Sequence, residues 1–243
     1  MSLTESITDV VDAANKLTSV VSNKIGEIDS RVDVAVNEFQ KMMVQARLEN
    51  AIFRQSRNQF GNITGTDLDF YTKNDKYTIN ISLYREIISG IKWEDRDIEE
   101  IDVLTSMGLS GQQHFQPRIR IIKMEWSGYQ PNSHSAHSIY PSPICNMSGA
   151  VTVASYAKLV AGSITGWWLQ DVNEKWGVCG TNILGGPGRY IHAHPYVNTS
   201  SGEVLFIWPA VVSGIVPIRR DNPKWGYWPS MYGENPYDAA PGS

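Results

Sequence analysis

Apolar positions between Val11 and Ala46 follow a seven-residue repeat. One register runs Val11, Thr18, Ile25, Val32, Phe39 and Ala46, and the interleaved one runs Ala14, Val21, Ile28, Ala35 and Met42. Steps of three and four place both registers on one seam of an α-helix. A strict period of 3.5 drifts around a straight helix, so such a seam stays buried only where helices supercoil about one another. No proline interrupts the run, and polar residues such as Asp12, Lys16, Asn23, Glu27, Arg31, Glu38 and Lys41 fall outside the seam. Ser2 or Thr4 is placed to cap the helix start, with Glu5 and Asp9 near the positive end of its dipole. β-Branched residues occur in both registers, which favours three or more strands over two. The pattern predicts a parallel trimeric coiled coil with a seam of Val11, Ala14, Val21, Ile25, Ile28, Val32, Phe39 and Met42. The competing reading is an amphipathic helix folded back on its own domain, which does not need a 3.5 period sustained this long.

Beyond the helix the period changes to two. Tyr77 to Tyr84 alternates as a strand does, Phe70-Tyr71 reads as a shorter one, and Glu94 to Met107 reads as a short helix closed by Gly108. From Arg118 onward the chain reads as strands between turns: Arg118 to Trp126, Ala150 to Tyr156, Ser163 to Gln170, Tyr190 to His194, Gly202 to Trp208 and Val211 to Pro217. The separators, including Gly185-Gly186-Pro187-Gly188 and Asn222-Pro223, are turn sequences. The predicted fold class is α+β, an N-terminal coiled coil followed by a β-rich sandwich- or barrel-like domain. Composition places the divisions. All twelve prolines lie at or beyond Pro117, and seven of the eight tryptophans at or beyond Trp126. The predicted organisation is a stalk over 1–57, a mixed connector over 58–116 and a Trp-, Pro- and Gly-rich β domain over 117–243. The tail from Tyr232 to Ser243 has no periodicity, as in a segment that wraps a neighbour or stays mobile.

Charge and targeting narrow the function classes. A net charge of −4 gives no electrostatic case for a nucleic-acid partner. No apolar run reaches the length of a membrane span. The start, MSLTESITDV, lacks a signal peptide's basic and apolar regions, so synthesis in a reducing cytoplasm is expected. Cys145 and Cys179 fit buried free thiols as well as a disulfide.

Three groups of residues bear on chemistry. His192-Ala193-His194, on a strand, points both imidazoles the same way. One chain then supplies two nitrogens, and three chains around a three-fold axis supply six, a set suited to one iron or other transition-metal ion per trimer. The plainer reading is two hydrogen-bonded histidines. His134 and His137 lie three apart in a loop-like stretch with no further ligands nearby in sequence. Trp225 and Trp228, with Arg219 and Arg220, suit a glycan- or partner-binding surface, since rings stack on sugars and guanidinium groups bind carboxylates. The plainer reading, and the favoured one, is that these tryptophans fill a core or a protomer interface. No catalytic set is visible: neither GxSxG nor HExxH occurs, and the acids of the β half show no pairing.

A leaderless chain with a trimer-type heptad stalk, a Trp- and Gly-rich β half and one HxH resembles the trimeric tail-fibre, spike or appendage proteins of tailed bacteriophages. The resemblance is architectural. It implies a homotrimeric structural virion protein, made in the host cytoplasm, that contacts other virion proteins and a host-surface glycan. In some fibre tips and spikes of that class, HxH motifs from three chains hold iron on the axis, which carries over here to His192 and His194 only. This chain differs in having a single HAH, followed by Pro195. The alternatives are a glycan-degrading enzyme of the tailspike kind and a cellular coiled-coil adaptor with a lectin-like head.

Overall fold

The computed structural model describes residues 3–50 and 52–232. Ser2 and residues 233–243 of the tail lie outside the described residues, as do the side chains of Glu5 and Ala46. The chain divides between Asn50 and Ala51 into two compact units.

The first unit is one α-helix, α1 (Leu3–Asn50), of 48 residues. At 1.5 Å per residue it is about 72 Å long. Its polar face carries a Lys24–Glu27 ion pair of 2.6 Å, and Thr18 turns its hydroxyl back onto the Ala14 carbonyl at 2.9 Å. The seam residues Val11, Val21, Ile25, Ile28, Val32, Phe39 and Met42 are all exposed, as is Ala14. No described helix is long and apolar enough to cross a membrane.

Among its described residues the second unit contains thirteen strands: β1 (Ile63–Thr64), β2 (Asp67–Leu68), β3 (Tyr71–Lys73), β4 (Thr78–Ile87), β5 (Ile119–Ser127), β6 (Ile139–Pro141), β7 (Cys145–Asn146), β8 (Val151–Ala161), β9 (Ile164–Thr165), β10 (Gly177–Ile183), β11 (Tyr190–Ile191), β12 (Tyr196–Val197) and β13 (Ser201–Ser213). Five of them form one antiparallel sheet in the order β10-β8-β13-β5-β4. The other eight pair off as two-stranded ribbons: β1–β2, β3–β6, β7–β11 and β9–β12.

Alternation sorts the sheet's side chains onto two buried faces. Ile79, Ile81, Ile122, Met124, Val151, Val153, Val204 and Phe206 face one core, with Ile139, Cys145, Ile164, Ile191, Ala193 and Val197 from the ribbons packed against them. Ile119, Ile121, Ala154, Tyr156, Leu205 and Ile207 face the other core. That face is covered by Val103 and Leu104 of the short helix α2 (Ile98–Ser106) and by Trp225 of the C-terminal segment. Asp97 caps α2, accepting from the backbone N–H groups of Glu99 and Glu100 at 3.0 Å. Buried Gln59 secures the C-terminal segment, donating to the Gly226 carbonyl at 2.9 Å and accepting from the Trp228 N–H at 2.8 Å.

The expected fold class, a parallel trimeric coiled coil followed by a sandwich- or barrel-like domain, is corrected. The single chain contributes one long helix, α1, and not by itself a coiled coil. The β-rich remainder is neither sandwich nor barrel, because the five-stranded sheet is open, with edges at β10 and β4, and the layers facing it are ribbons on one side and a helix with irregular chain on the other. Residues 58–116 belong to the same unit as 117–232, since β4 pairs with β5 along its length.

Individual strands also differ from expectation. Gly202 to Trp208 and Val211 to Pro217 are largely one strand, β13, interrupted by an irregularity between Ile207 and Ala210 where Trp208 adopts a φ of 53°. Ser163 to Gln170 is a two-residue strand followed by a 3-10 helix at Trp167–Leu169. The predicted strand Tyr190 to His194 ends at Ile191. The edge strand β10 matches none of the predicted strands.

Candidate functional site

The HAH motif sits at the meeting point of three ribbons. In β7–β11, Tyr190 lies opposite Asn146 and Ile191 opposite Cys145. Directly opposed residues share a face, so Cys145 and Ile191 point into the core while Asn146 and Tyr190 point outward. Past Ile191 the chain leaves the ladder, and Ala193 takes a φ of 52° with its methyl fully buried. In-and-out alternation nevertheless continues: Ile191, Ala193, Pro195 and Val197 are buried, whereas Tyr190, His192, His194 and Tyr196 face outward to differing degrees.

Those outward rings meet others from distant sequence. His192 and His194 lie 5.9 Å apart between ring centroids, with planes at 67°. Tyr140 of β6 stacks on His192 at 5.2 Å and touches His194 at 6.1 Å. His137 meets His194 at 5.3 Å, Tyr196 meets His194 at 4.9 Å, and Tyr190 meets His192 at 5.6 Å. The cluster therefore contains six aromatic or imidazole rings, three of them histidines.

Its backbone supports are short polar contacts. Ser138 donates both its N–H and its hydroxyl to the Pro195 carbonyl, at 2.8 and 2.9 Å, tying the His137 segment to the end of the HAH segment. Buried Asn74 donates to the carbonyls of Ser135 and His137 at 2.9 and 2.8 Å, and the Tyr77 hydroxyl donates to the His137 carbonyl at 2.7 Å. Tyr196 pairs with Thr165 across β9–β12, and Tyr140 with Thr72 across β3–β6.

Electrostatics favour the neutral form of two rings, His137 and His194. Burial, reinforced by His137 and His192, pushes the His194 pKa down to about 4. Burial and His192 also lower that of His137, against an opposing pull from Asp75. His194 keeps its Nδ1 buried without a protein hydrogen-bond partner, and His137 Nδ1 is 2.6 Å from the Ser135 hydroxyl. Neutral imidazoles and phenols offer donors and acceptors set among apolar ring faces. Among the described residues, no group of three or more His, Cys, Asp or Glu side chains is placed to hold a metal ion. An ion at His192 and His194, as expected from the sequence, would need further ligands from other copies of the chain.

Beside the rings lies a cavity of about 420 Å³ lined by Ile144, Cys145, Asn146, Gly188, Arg189 and Tyr190. Burial pushes the Cys145 thiol up to about 12, so it stays protonated and is no nucleophile. Cys179 is likewise buried and free, and the chain's two cysteines form no disulfide.

The residues expected to bind a glycan lie elsewhere. Trp225 is only 4% exposed and donates its indole N–H to the Trp208 carbonyl at 3.0 Å. Trp228 is half-buried and meets Trp225 at 5.8 Å. Arg219 pairs with Asp221 on the surface, while Arg220 reaches the Asp171 and Lys175 carbonyls and the Asn173 side chain. The two tryptophans are thus packing groups on the sheet face opposite the ring cluster.

Sequence reasoning singled out HAH but passed over its surroundings. The signal was available in part, because Tyr190, His192, His194 and Tyr196 alternate strictly with apolar residues. Tyr140 and His137 arrive from some fifty residues away, and no local pattern announces them. No family model, curated protein or solved structure matches the chain.

Proposed function

We propose that this chain is a structural subunit of a tailed-bacteriophage virion appendage, a homotrimer associated along the seam of α1, whose β-rich unit binds a host-surface glycan or a neighbouring protein. The observation that carries the reading is the seam itself. Seven large apolar side chains are exposed along α1 at heptad spacing, with Ile25 at 53% and Ile28 at 58%. Soluble monomers rarely leave a contiguous apolar stripe of this extent open to water.

The spacing also names the occupant. A stripe with a period of 3.5 matches another helix that drifts at the same rate, and a second and third copy of α1 satisfy this by identity. The β-rich unit supplies what an appendage presents outward: a sheet buried on both faces that holds a cluster of rings at its surface. Sedimentation equilibrium or native mass spectrometry tests the reading. The expected species has about three times the 27.2 kDa mass of the chain. A monomer that persists at high protein concentration overturns it.

A further inference from the structure

The cavity beside the ring cluster has Arg189, Asn146 and Tyr190 in its wall. Its volume of about 420 Å³ falls in the range of small-ligand pockets. Its wall carries one formal charge, the Arg189 guanidinium, which forms no ion pair or side-chain hydrogen bond among the described residues. The Arg189 backbone is nonetheless pinned: its N–H donates to the Gly186 carbonyl at 3.1 Å, and its carbonyl accepts from Met147 at 2.9 Å. The side chain lies close over Gly186, where an added Cβ would sit 3.2 Å from Nε. A positioned cation with no protein partner is a receptor for an anion.

Two neighbours add shape. Tyr190 is 68% exposed and presents a ring face and a hydroxyl without a protein partner. Asn146 sits directly opposite it in the β7–β11 ladder. The Asn146 carbonyl oxygen accepts from the N–H and hydroxyl of Ser148, both at 2.7 Å, which leaves its NH₂ as the group free to donate. Cation, amide donor and exposed ring match, in order, the carboxylate, hydroxyls and apolar face of a uronic or sialic acid unit. The rings continue past the cavity from Tyr190 to His192 at 5.6 Å and Tyr140 at 5.2 Å, a track for further sugar units.

We propose that this cavity is the binding site for an acidic glycan, with Arg189 pairing the carboxylate and Tyr190 stacking on the sugar ring. The assignment rests on the reading of the β-rich unit as a binding module. It assigns binding rather than hydrolysis, because no pair of carboxylates lines the cavity.

The test uses the full chain and calorimetric titration with two acidic probes, trigalacturonate and trisialate, and with the neutral, carboxyl-reduced form of the first. At least one acidic probe is expected to bind, with the reduced probe weaker by about tenfold or more, the worth of a charge-assisted hydrogen bond. Arg189→Gln and Tyr190→Ala should each weaken acidic-probe binding about tenfold, while Arg189→Lys retains part of it. Both residues are exposed, so unchanged urea midpoints are expected, and the carboxyl-reduced probe asks the same question without any substitution. The proposal is overturned if neither acidic probe binds, if the reduced form binds as well, or if Arg189→Gln binds like the parent. It is also overturned if an oligoglutamate peptide binds more tightly than either saccharide. Oligomeric state measured on the same sample separates the two readings: a monomer that binds acidic sugar removes only the trimer, and a trimer that binds none removes only this site.

Discussion

Replacing Ile25 by aspartate places a charge on the seam of α1 and leaves the sequence of the β-rich unit unchanged. The side chain is about half exposed on the single helix. Covering the remaining area by neighbouring helices contributes about 1 kcal/mol per chain, half of what full burial of an isoleucine provides. Aspartate forfeits that contribution and brings a carboxylate into the seam, where desolvation costs about 2 kcal/mol or more per ion even after relaxation and water entry. Three chains together lose about 9 kcal/mol, on the order of a millionfold in the trimerisation constant.

The control is Asn23→Asp, which introduces the same charge on the polar face two residues away. Sedimentation equilibrium at micromolar concentration should show a monomer for Ile25→Asp and a trimer for Asn23→Asp. Far-ultraviolet circular dichroism should follow, because a helix that loses its packing partners keeps only its marginal intrinsic stability. The reasoning is refuted if Ile25→Asp sediments like the parent, or if Asn23→Asp dissociates equally.

Three further outcomes follow from the β-rich unit. Gly202 lies opposite Trp126 in the β5–β13 ladder, and a methyl there would overlap the indole, whose N–H donates to the Thr199 carbonyl at 2.9 Å. Gly202→Ala should therefore lose about 2–4 kcal/mol in urea unfolding, and an unchanged midpoint would show that the indole is not held against the strand. The Arg96 side chain is fully buried and pairs with Glu100 at 3.0 Å, so Glu100→Ala should cost about 3 kcal/mol, with part of it recovered by adding Arg96→Met; a single variant within 1 kcal/mol of the parent contradicts the buried pair. His194 has its pKa lowered, so the folded state binds fewer protons than the unfolded one between about 6.5 and about 4, and stability is full above that window and falls as pH drops through it. Discounted for a partly solvated ring, the loss is about 1–2 kcal/mol, measured as urea midpoints in the presence of a chelator; a His194→Gln variant with the same pH slope would sink this assignment.

What could be read from the chain depended on whether a residue's partner was periodic or distant. The run Val11 to Ala46 announces a helix because each seam residue repeats a rule set by its neighbours, and α1 spans that run. β4 and β5 were legible for the same reason at period two. β10 was not, because Gly177 and Gly180 erase its alternation. Both glycines sit where a side chain would collide, Gly180 with the Val153 carbonyl and the Ala154 side chain, Gly177 with the Arg220 guanidinium. Splitting β13 in two has a local cause as well, since Trp208-Pro209 carries the irregularity that lets 205, 207, 208, 210 and 212 all face one core. The sandwich expectation failed at a different level. Alternation shows how many faces of a strand are buried but not what covers them, and here one cover is α2 with the Trp225 segment and the other is a set of ribbons.

The ribbons explain why the ring cluster has a defined shape despite resting on strands of two or three residues. An isolated two-stranded ribbon is marginal in water, so each draws its stability from the residue it sends inward. Ile139 beside Tyr140, Ile191 between Tyr190 and His192, Ala193 between the two histidines, and Val197 after Tyr196 all belong to one core. Every outward ring of the cluster that comes from a ribbon is therefore next in sequence to an anchor in that core. Ala193 is the most constrained of these anchors, being fully buried with a φ of 52°, a conformation that a β-branched residue resists. Its placement sets where both imidazoles leave the backbone. The outward positions are free of this duty: Tyr190 and Arg189 touch the cavity but anchor nothing in the core. A surface divided in this way lets its outward residues change while their mounting stays fixed, and binding of an acidic sugar there, as proposed, would use only the outward set.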